Sequence, residues 1–239
     1  MSSLEFTTSD KEVANNGIKM LVYGDSGIGK TVLAATMPNV VMISAESGPL
    51  SLQKSNLEKL YPQMPFVCPV PIIKVRDVNG LNEAYQWLLQ SQEARQFQSV
   101  AIDSISEIGE VVLNNAKRQV KDPRQAYGEL IEKMETVIRA YRDLPGKNVY
   151  MSAKIEPVKD EMSGVVKYGP SMPGSKLGPK LPYFFDFVFK MSANKDAQGR
   201  DFRYLQTYTD LQNTAKDRSG KLDPMEYPHL GYIINKAIS

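Results

Sequence analysis

The chain has 239 residues, 42% of them hydrophobic and 23% charged, with a formal net charge of +2. This is ordinary globular composition, long enough for one large α/β domain, and it excludes a disordered chain or a polyanion binder that works through a global basic field. The single cysteine, Cys68, and the single histidine, His229, exclude an internal disulfide and a Cys/His zinc cluster.

No apolar run reaches membrane-spanning length and no signal-peptide pattern opens the chain, so a cytoplasmic protein without a membrane partner is expected. No internal repeat is visible. Residues 1–17 are polar and end in the turn signal Asn15-Asn16-Gly17. They read as a flexible arm ahead of a domain spanning 18–239. The apolar run Ile18–Tyr23 predicts a buried strand, and Thr31–Met37 the start of a helix. Between them Gly24-Asp25-Ser26-Gly27-Ile28-Gly29-Lys30-Thr31 spell G-x-x-x-x-G-K-S/T, a phosphate-binding P-loop. Glycines let the backbone fold around a phosphate, and the amides that follow point inward as an anion nest. Lys30 would reach the β- and γ-phosphates and the Thr31 hydroxyl would hold Mg²⁺, so ATP and Mg²⁺ are the expected cofactors.

A second strand follows at Val40–Ser44, and the four prolines between Tyr61 and Pro71 predict irregular chain. A helix is expected across Leu81–Arg95, then a strand Ser99–Asp103. Asp122-Pro123 reads as an N-cap followed by proline at the first helical position. Tyr127, Leu130, Ile131, Met134, Val137, Ile138 and Tyr141 then recur at helical spacing. A strand Asn148–Ala153 comes after Pro145-Gly146. Strands alternating with helices imply a mostly parallel sheet with right-handed crossovers. Residues 155–182, rich in Gly and Pro, read as a long functional loop. A hairpin is expected from Tyr183–Met191 and Asp201–Thr209, and a polar tail after Asp210.

Asp103 closes an apolar run as a Walker B carboxylate does, at the end of a strand expected beside the P-loop strand, where it would bind Mg²⁺ through water. Several ATPase classes place a glutamate next to that Asp, but here the position is Ser104. The group that orients the attacking water is therefore sought elsewhere. Glu46, after the second strand on the ligand face of such a sheet, is the candidate, with Glu107 in reserve.

Glu46 after the second strand, the Ile102-Asp103-Ser104 Walker B and the Gly/Pro segment after the fourth strand together resemble the RecA-type recombinase core. In length the chain is similar to phage-encoded single-strand annealing ATPases. The resemblance covers about residues 18–220 and implies a RecA-like α/β P-loop NTPase fold with a C-terminal β-hairpin. It also implies a first DNA-binding loop near 106–126, a second near 155–180, and a γ-phosphate sensor at the position of Lys154, where the family usually carries Gln. Finally it implies a Lys-x-Arg pair, Lys216 and Arg218, that reaches the nucleotide of a neighbouring subunit. Phe6 in the arm would correspond to an aromatic that docks on a neighbour; a disordered arm is the alternative.

Charge supports the DNA reading independently. Lys117, Arg118, Lys121 and Arg124 cluster in the first region, and Lys159, Lys167, Lys176 and Lys180 in the second, with Tyr168 as a stacking residue. Solvated charged faces are the alternative, and for Lys216 and Arg218 it is an exposed polar turn. Trp87 reads as core and His229 as a packing or surface residue.

The expectation is an ATPase, stimulated by single-stranded DNA, that promotes annealing or strand pairing in phage DNA recombination. It would self-associate with active sites at subunit interfaces, and a single-strand-binding protein is a candidate partner. The alternatives are a nucleotide-dependent assembly or switch protein that does not act on DNA, and a P-loop small-molecule kinase.

Overall fold

A computed structural model describes residues 7–8, 16–46, 50–159, 164–174 and 176–239. The expected arm, including Phe6, therefore lies almost entirely outside the described residues. Along the chain run β1 (Lys19–Tyr23), α1 (Lys30–Ala34), β2 (Val40–Ser44), α2 (Lys54–Leu60), β3 (Ile72–Lys74), α3 (Val78–Gln90), β4 (Ser99–Asp103), α4 (Ile105–Gln119) and α5 (Pro123–Arg142). They are followed by β5 (Asn148–Lys159), β6 (Val166–Ser171), β7 (Phe187–Lys195), β8 (Asp201–Gln206), β9 (Lys216–Asp217), β10 (Met225–Glu226) and α6 (Leu230–Ile238).

The strands pair in the order β10-β8-β7-β1-β5-β4-β2-β3, parallel from β7 to β3 and antiparallel beyond. This is the expected α/β class, a mostly parallel sheet with flanking helices and a β7–β8 hairpin towards the C-terminus. Each central strand is buried on both faces, which is why β1, β2 and β4 read as continuous apolar runs rather than alternating ones. Alternate side chains serve opposite layers. Leu21, Val41, Ile43, Val100 and Ile102 pack under α3, α4 and α5. Met20, Val22, Val40 and Met42 pack with Val32 and Leu33 of α1 and with Leu230, Ile233 and Ile234 of α6.

The structure corrects four expectations. The strand ending in Asp103 is not beside the P-loop strand, because β5 lies between β1 and β4. Residues 106–126 are not a loop. Ile105, Ile108, Val112, Leu113 and Ala116 fall on one face of α4 and bury it, leaving only a short turn before α5. Nor is 155–182 one long loop: β5 runs on to Lys159 and folds back antiparallel onto β6, with a 3₁₀ turn at Gly178–Tyr183. Pro157 and Pro170 are tolerated there because this ribbon lies off the central sheet, where strand edges have spare N–H positions. The tail is not purely polar either, since α6 buries three aliphatic side chains.

Candidate nucleotide site

The P-loop leaves β1 at Gly24 and enters α1 at Lys30. Packing fixes its glycines. A methyl group on Gly24 would stand 2.6 Å from the Met191 carbonyl oxygen of β7. Gly29 holds φ at +116°, a conformation that other residues avoid. From beneath, the Tyr150 hydroxyl donates to the Lys30 carbonyl at 2.8 Å. The Lys30 ammonium turns back over the loop to Gly24 O and Asp25 O at 2.7 and 2.8 Å, and burial lowers its pKa against the pull of Asp103. These residues line a cavity of about 460 Å³ shared with Glu46, Asp103, Ser104 and Lys154.

Although its strand is one further away than expected, Asp103 reaches the P-loop: the Thr31 hydroxyl donates to its Oδ2 at 2.7 Å. The Ser152 hydroxyl of the intervening β5 donates to Oδ1 and fixes the carboxylate from the other side. Thr31 Oγ1 and the Asp103 carboxylate thus form an adjacent pair of hard oxygen donors. That set suits Mg²⁺, which keeps most of its waters and takes one or two protein oxygens. Bound there, the ion would neutralise charge on the phosphate oxygens.

Ser104 ties the start of α4 to Glu46. Its side chain caps α4 by accepting from the Glu107 amide at 3.2 Å, and its hydroxyl donates to Glu46 Oε1 at 3.3 Å. Glu46 lines the cavity as expected. Partial burial, reinforced by the neighbouring Asp103 charge, pushes its carboxyl upward, in the direction that suits a group receiving a proton from water. Glu107 does not line this cavity; its carboxylate meets Lys154 Nζ at 3.0 Å, and that bond raises the Lys154 pKa.

Lys154 lines the cavity and also begins the β5–β6 ribbon, pairing with Ser171. Its amide donates to Ser106 Oγ at 2.9 Å, and that hydroxyl donates to Ser171 O at 2.6 Å, pinning the ribbon to α4. Lys159, Lys167 and Tyr168 are exposed on this ribbon, and Lys176 is exposed beyond it. Lys117, Arg118, Lys121 and Arg124 are exposed around the α4–α5 turn. The two groups approach each other through Tyr127. Lys117 Nζ lies 5.4 Å from its ring centre, and the ring packs on Gly174. Under the ribbon is a groove of about 630 Å³ that adds Tyr183 and Leu211, which the sequence offered no motif to find.

Lys216 and Arg218 are not brought to the P-loop of their own chain. β9 pairs with Phe187 and Val188, placing both at the opposite end of the sheet. Lys216 Nζ donates to Pro182 O and Phe185 O at 2.9 and 2.6 Å, and Arg218 pairs with Asp186 at 3.1 Å. Trp87 is partly buried against Phe97, and His229 is fully buried as the N-cap of α6. Among the described residues, no group of three or more His, Cys, Asp or Glu could hold a metal, and no helix is long and apolar enough to cross a membrane.

No curated protein matches the chain. Among solved structures it is similar to a KaiC-like protein, PH0186, from the hyperthermophilic archaeon Pyrococcus horikoshii OT3, with 15% identity and a TM-score of 0.43. That alignment covers 81% of this chain and 82% of the other. The AAA domain family matches residues 16–219, from the turn before β1 to just past β9. That match spans most of the chain and includes the P-loop, so the chain belongs to this family of AAA-type P-loop ATPase domains.

Proposed function

We propose that the protein is an ATP- and Mg²⁺-dependent ATPase that binds single-stranded DNA and promotes annealing or strand pairing in phage recombination, in a bacterial host cytoplasm. The carrying observation is that a ribbon rooted in the cavity wall at Lys154 bears exposed Lys159, Lys167 and Tyr168. Basic side chains take phosphates and aromatic faces stack on bases without sequence preference. In the cavity, Lys30 binds the β- and γ-phosphates, Thr31 and Asp103 hold Mg²⁺, and Glu46 orients the attacking water. Lys154 meets the γ-phosphate from the ribbon side.

We further propose that the site is completed by a neighbouring copy through Lys216 and Arg218. Arg218 is the more available of the two, because an exposed ion pair such as the one to Asp186 contributes about 1 kcal/mol or less. A single-strand-binding protein is the expected accessory partner.

Phosphate release, measured with and without a single-stranded oligonucleotide, tests the reading. Wild type should turn over faster with DNA, and Lys30→Ala should do so in neither condition. Replacing Lys117, Arg118 and Lys121 together by Ala should weaken oligonucleotide binding about tenfold at low salt and flatten its salt dependence. Turnover indifferent to DNA would favour a nucleotide-dependent assembly protein, and phosphate transfer to a small acceptor a kinase.

A further inference from the structure

On its β4–β2 side the nucleotide cavity ends at Asp103 and Glu46. On the other side the P-loop leans on the β7–β8 hairpin, which carries a cation that no motif marks. Arg203 lies on β8 opposite Ala193. It shares a face with Leu205, which packs in the same apolar layer as Val32 and Leu33 of α1. A methyl group on Gly29 would stand 3.3 Å from Arg203 Nη1, 3.2 Å from Met191 Cε and 3.4 Å from Val32 Cγ2. The guanidinium tip therefore rests against the P-loop backbone one residue before Lys30.

Arg203 is half-buried, yet among the described residues its guanidinium has no hydrogen-bond or ion-pair partner. It lies close enough to the Tyr61 hydroxyl to oppose the upward push that burial gives that group. Lys30, by contrast, is satisfied by two carbonyls. Holding a partly desolvated cation without a partner is unfavourable in the free protein. Arg203 stays outside the wall of the phosphate cavity, so only a part of a ligand that protrudes from that cavity could reach it.

The direction of protrusion follows from the chemistry. The metal donors Thr31 and Asp103, and Glu46, mark where the terminal phosphate and the attacking water belong. With its terminal phosphate at those donors, a nucleotide would leave the cavity on the opposite side, towards Gly29 and Val32, where Arg203 and Met191 converge. We infer that Arg203 is the platform for the purine base, its planar guanidinium stacked on the ring. A lysine ammonium can sit over a ring, but only the flat guanidinium can lie parallel to it in extended contact. The inference rests on the ATP-binding reading above.

Calorimetric affinities of the full chain for ATP, ADP and inorganic tripolyphosphate, all with Mg²⁺, test it in wild type, Arg203→Ala and Arg203→Lys. Thermal unfolding of each variant reports folding. Arg203→Ala should lose about 10- to 100-fold for ATP and ADP, and tripolyphosphate, which has no base, should bind as to wild type. Arg203→Lys keeps the charge without the plane and should recover only part of that loss; it carries the same test if the alanine variant does not fold. Equal losses for all three ligands, unchanged ATP binding, or full rescue by lysine would each overturn the assignment. Failure of wild type to bind ATP at all would instead overturn the nucleotide reading, and it is seen without any variant.

Discussion

The two ends of the parallel sheet put their lysines in different surroundings. At the N-terminal end of the strands, lysines are closed onto main-chain carbonyls. Lys19 Nζ donates to Leu144 O and Lys147 O at 3.0 and 2.7 Å, Lys147 Nζ to Ala94 O and Phe97 O, and Lys216 Nζ to Pro182 O and Phe185 O. Burial lowers all three, Lys19 to about 8. At the C-terminal end, Lys30 also meets two carbonyls, those of its own P-loop, but it and Lys154 line an open cavity, and the cations of the ribbon and of the α4–α5 turn face solvent. The difference teaches that place on the sheet, not residue type, separates a lysine that fastens loops from one that can meet a phosphate. The P-loop cavity opens beyond the C-terminal strand ends, where ligands of open α/β sheets bind.

That contrast can be broken by substitution. The largest effect should come from Lys30→Ala, which removes the cation at the phosphates and should slow ATP hydrolysis about a thousand-fold in a phosphate-release assay. Glu46→Gln should lower turnover about a hundred-fold while leaving ATP affinity near wild type, because it removes a base and not a binding contact. A binding loss of the same size would mean that Glu46 shapes the cavity instead.

At the opposite end, Lys216→Met should cost about 1–3 kcal/mol in denaturant unfolding, since two buried-side carbonyls lose their donor. Lys121→Met, in the exposed turn, should stay within about 0.5 kcal/mol. Comparable values would erase the distinction between the two ends. Arg218→Ala, at an exposed position, is the cleaner probe of action on a neighbour.

The smallest effect concerns the support beneath the P-loop helix. His229 Nδ1 accepts from the Tyr232 amide at 3.2 Å, and Nε2 faces Pro65 O at 2.8 Å, so the neutral ring with its proton on Nε2 satisfies both. Burial lowers its pKa below the ordinary 6.5. Below pH 6.5 the unfolded chain takes up a proton that the folded chain resists, so stability should fall with falling pH. The slope should be at most about 1.4 kcal/mol per unit. His229→Asn keeps a capping acceptor without the titration and should remove that slope.

Much of the scaffold was legible because burial on both faces writes itself as apolar runs. The bounds expected for Val40–Ser44 and Ser99–Asp103 are those observed. The Asp122 cap and helical spacing gave α5. The P-loop was legible because its geometry demands particular residues. α4 carries helical spacing in Ile105, Ile108, Val112 and Ala116, although the resembled family implies a loop there. The β5–β6 ribbon was hidden by Pro157, Gly169 and Pro170, which edge pairing tolerates. β3 and α6 were too short to signal strongly. Arg203 and Ser152 were invisible because each matters through a neighbour distant in sequence, Gly29 and Asp103 respectively.

The docking of α6 has a consequence for how the molecule comes to life. Its first amides, of Leu230 and Gly231, donate to the hydroxyl and carbonyl of Thr36 just after the P-loop helix, a closure spanning 194 residues in the first case. Loops of that length close late and slowly. The phosphate motif, although near the start of the chain, therefore gains its full backing layer only when the farthest segment arrives. A chain halted or clipped before Leu230 would display every residue of the motif over an open apolar face, and so resemble an ATPase in sequence before it is one in substance.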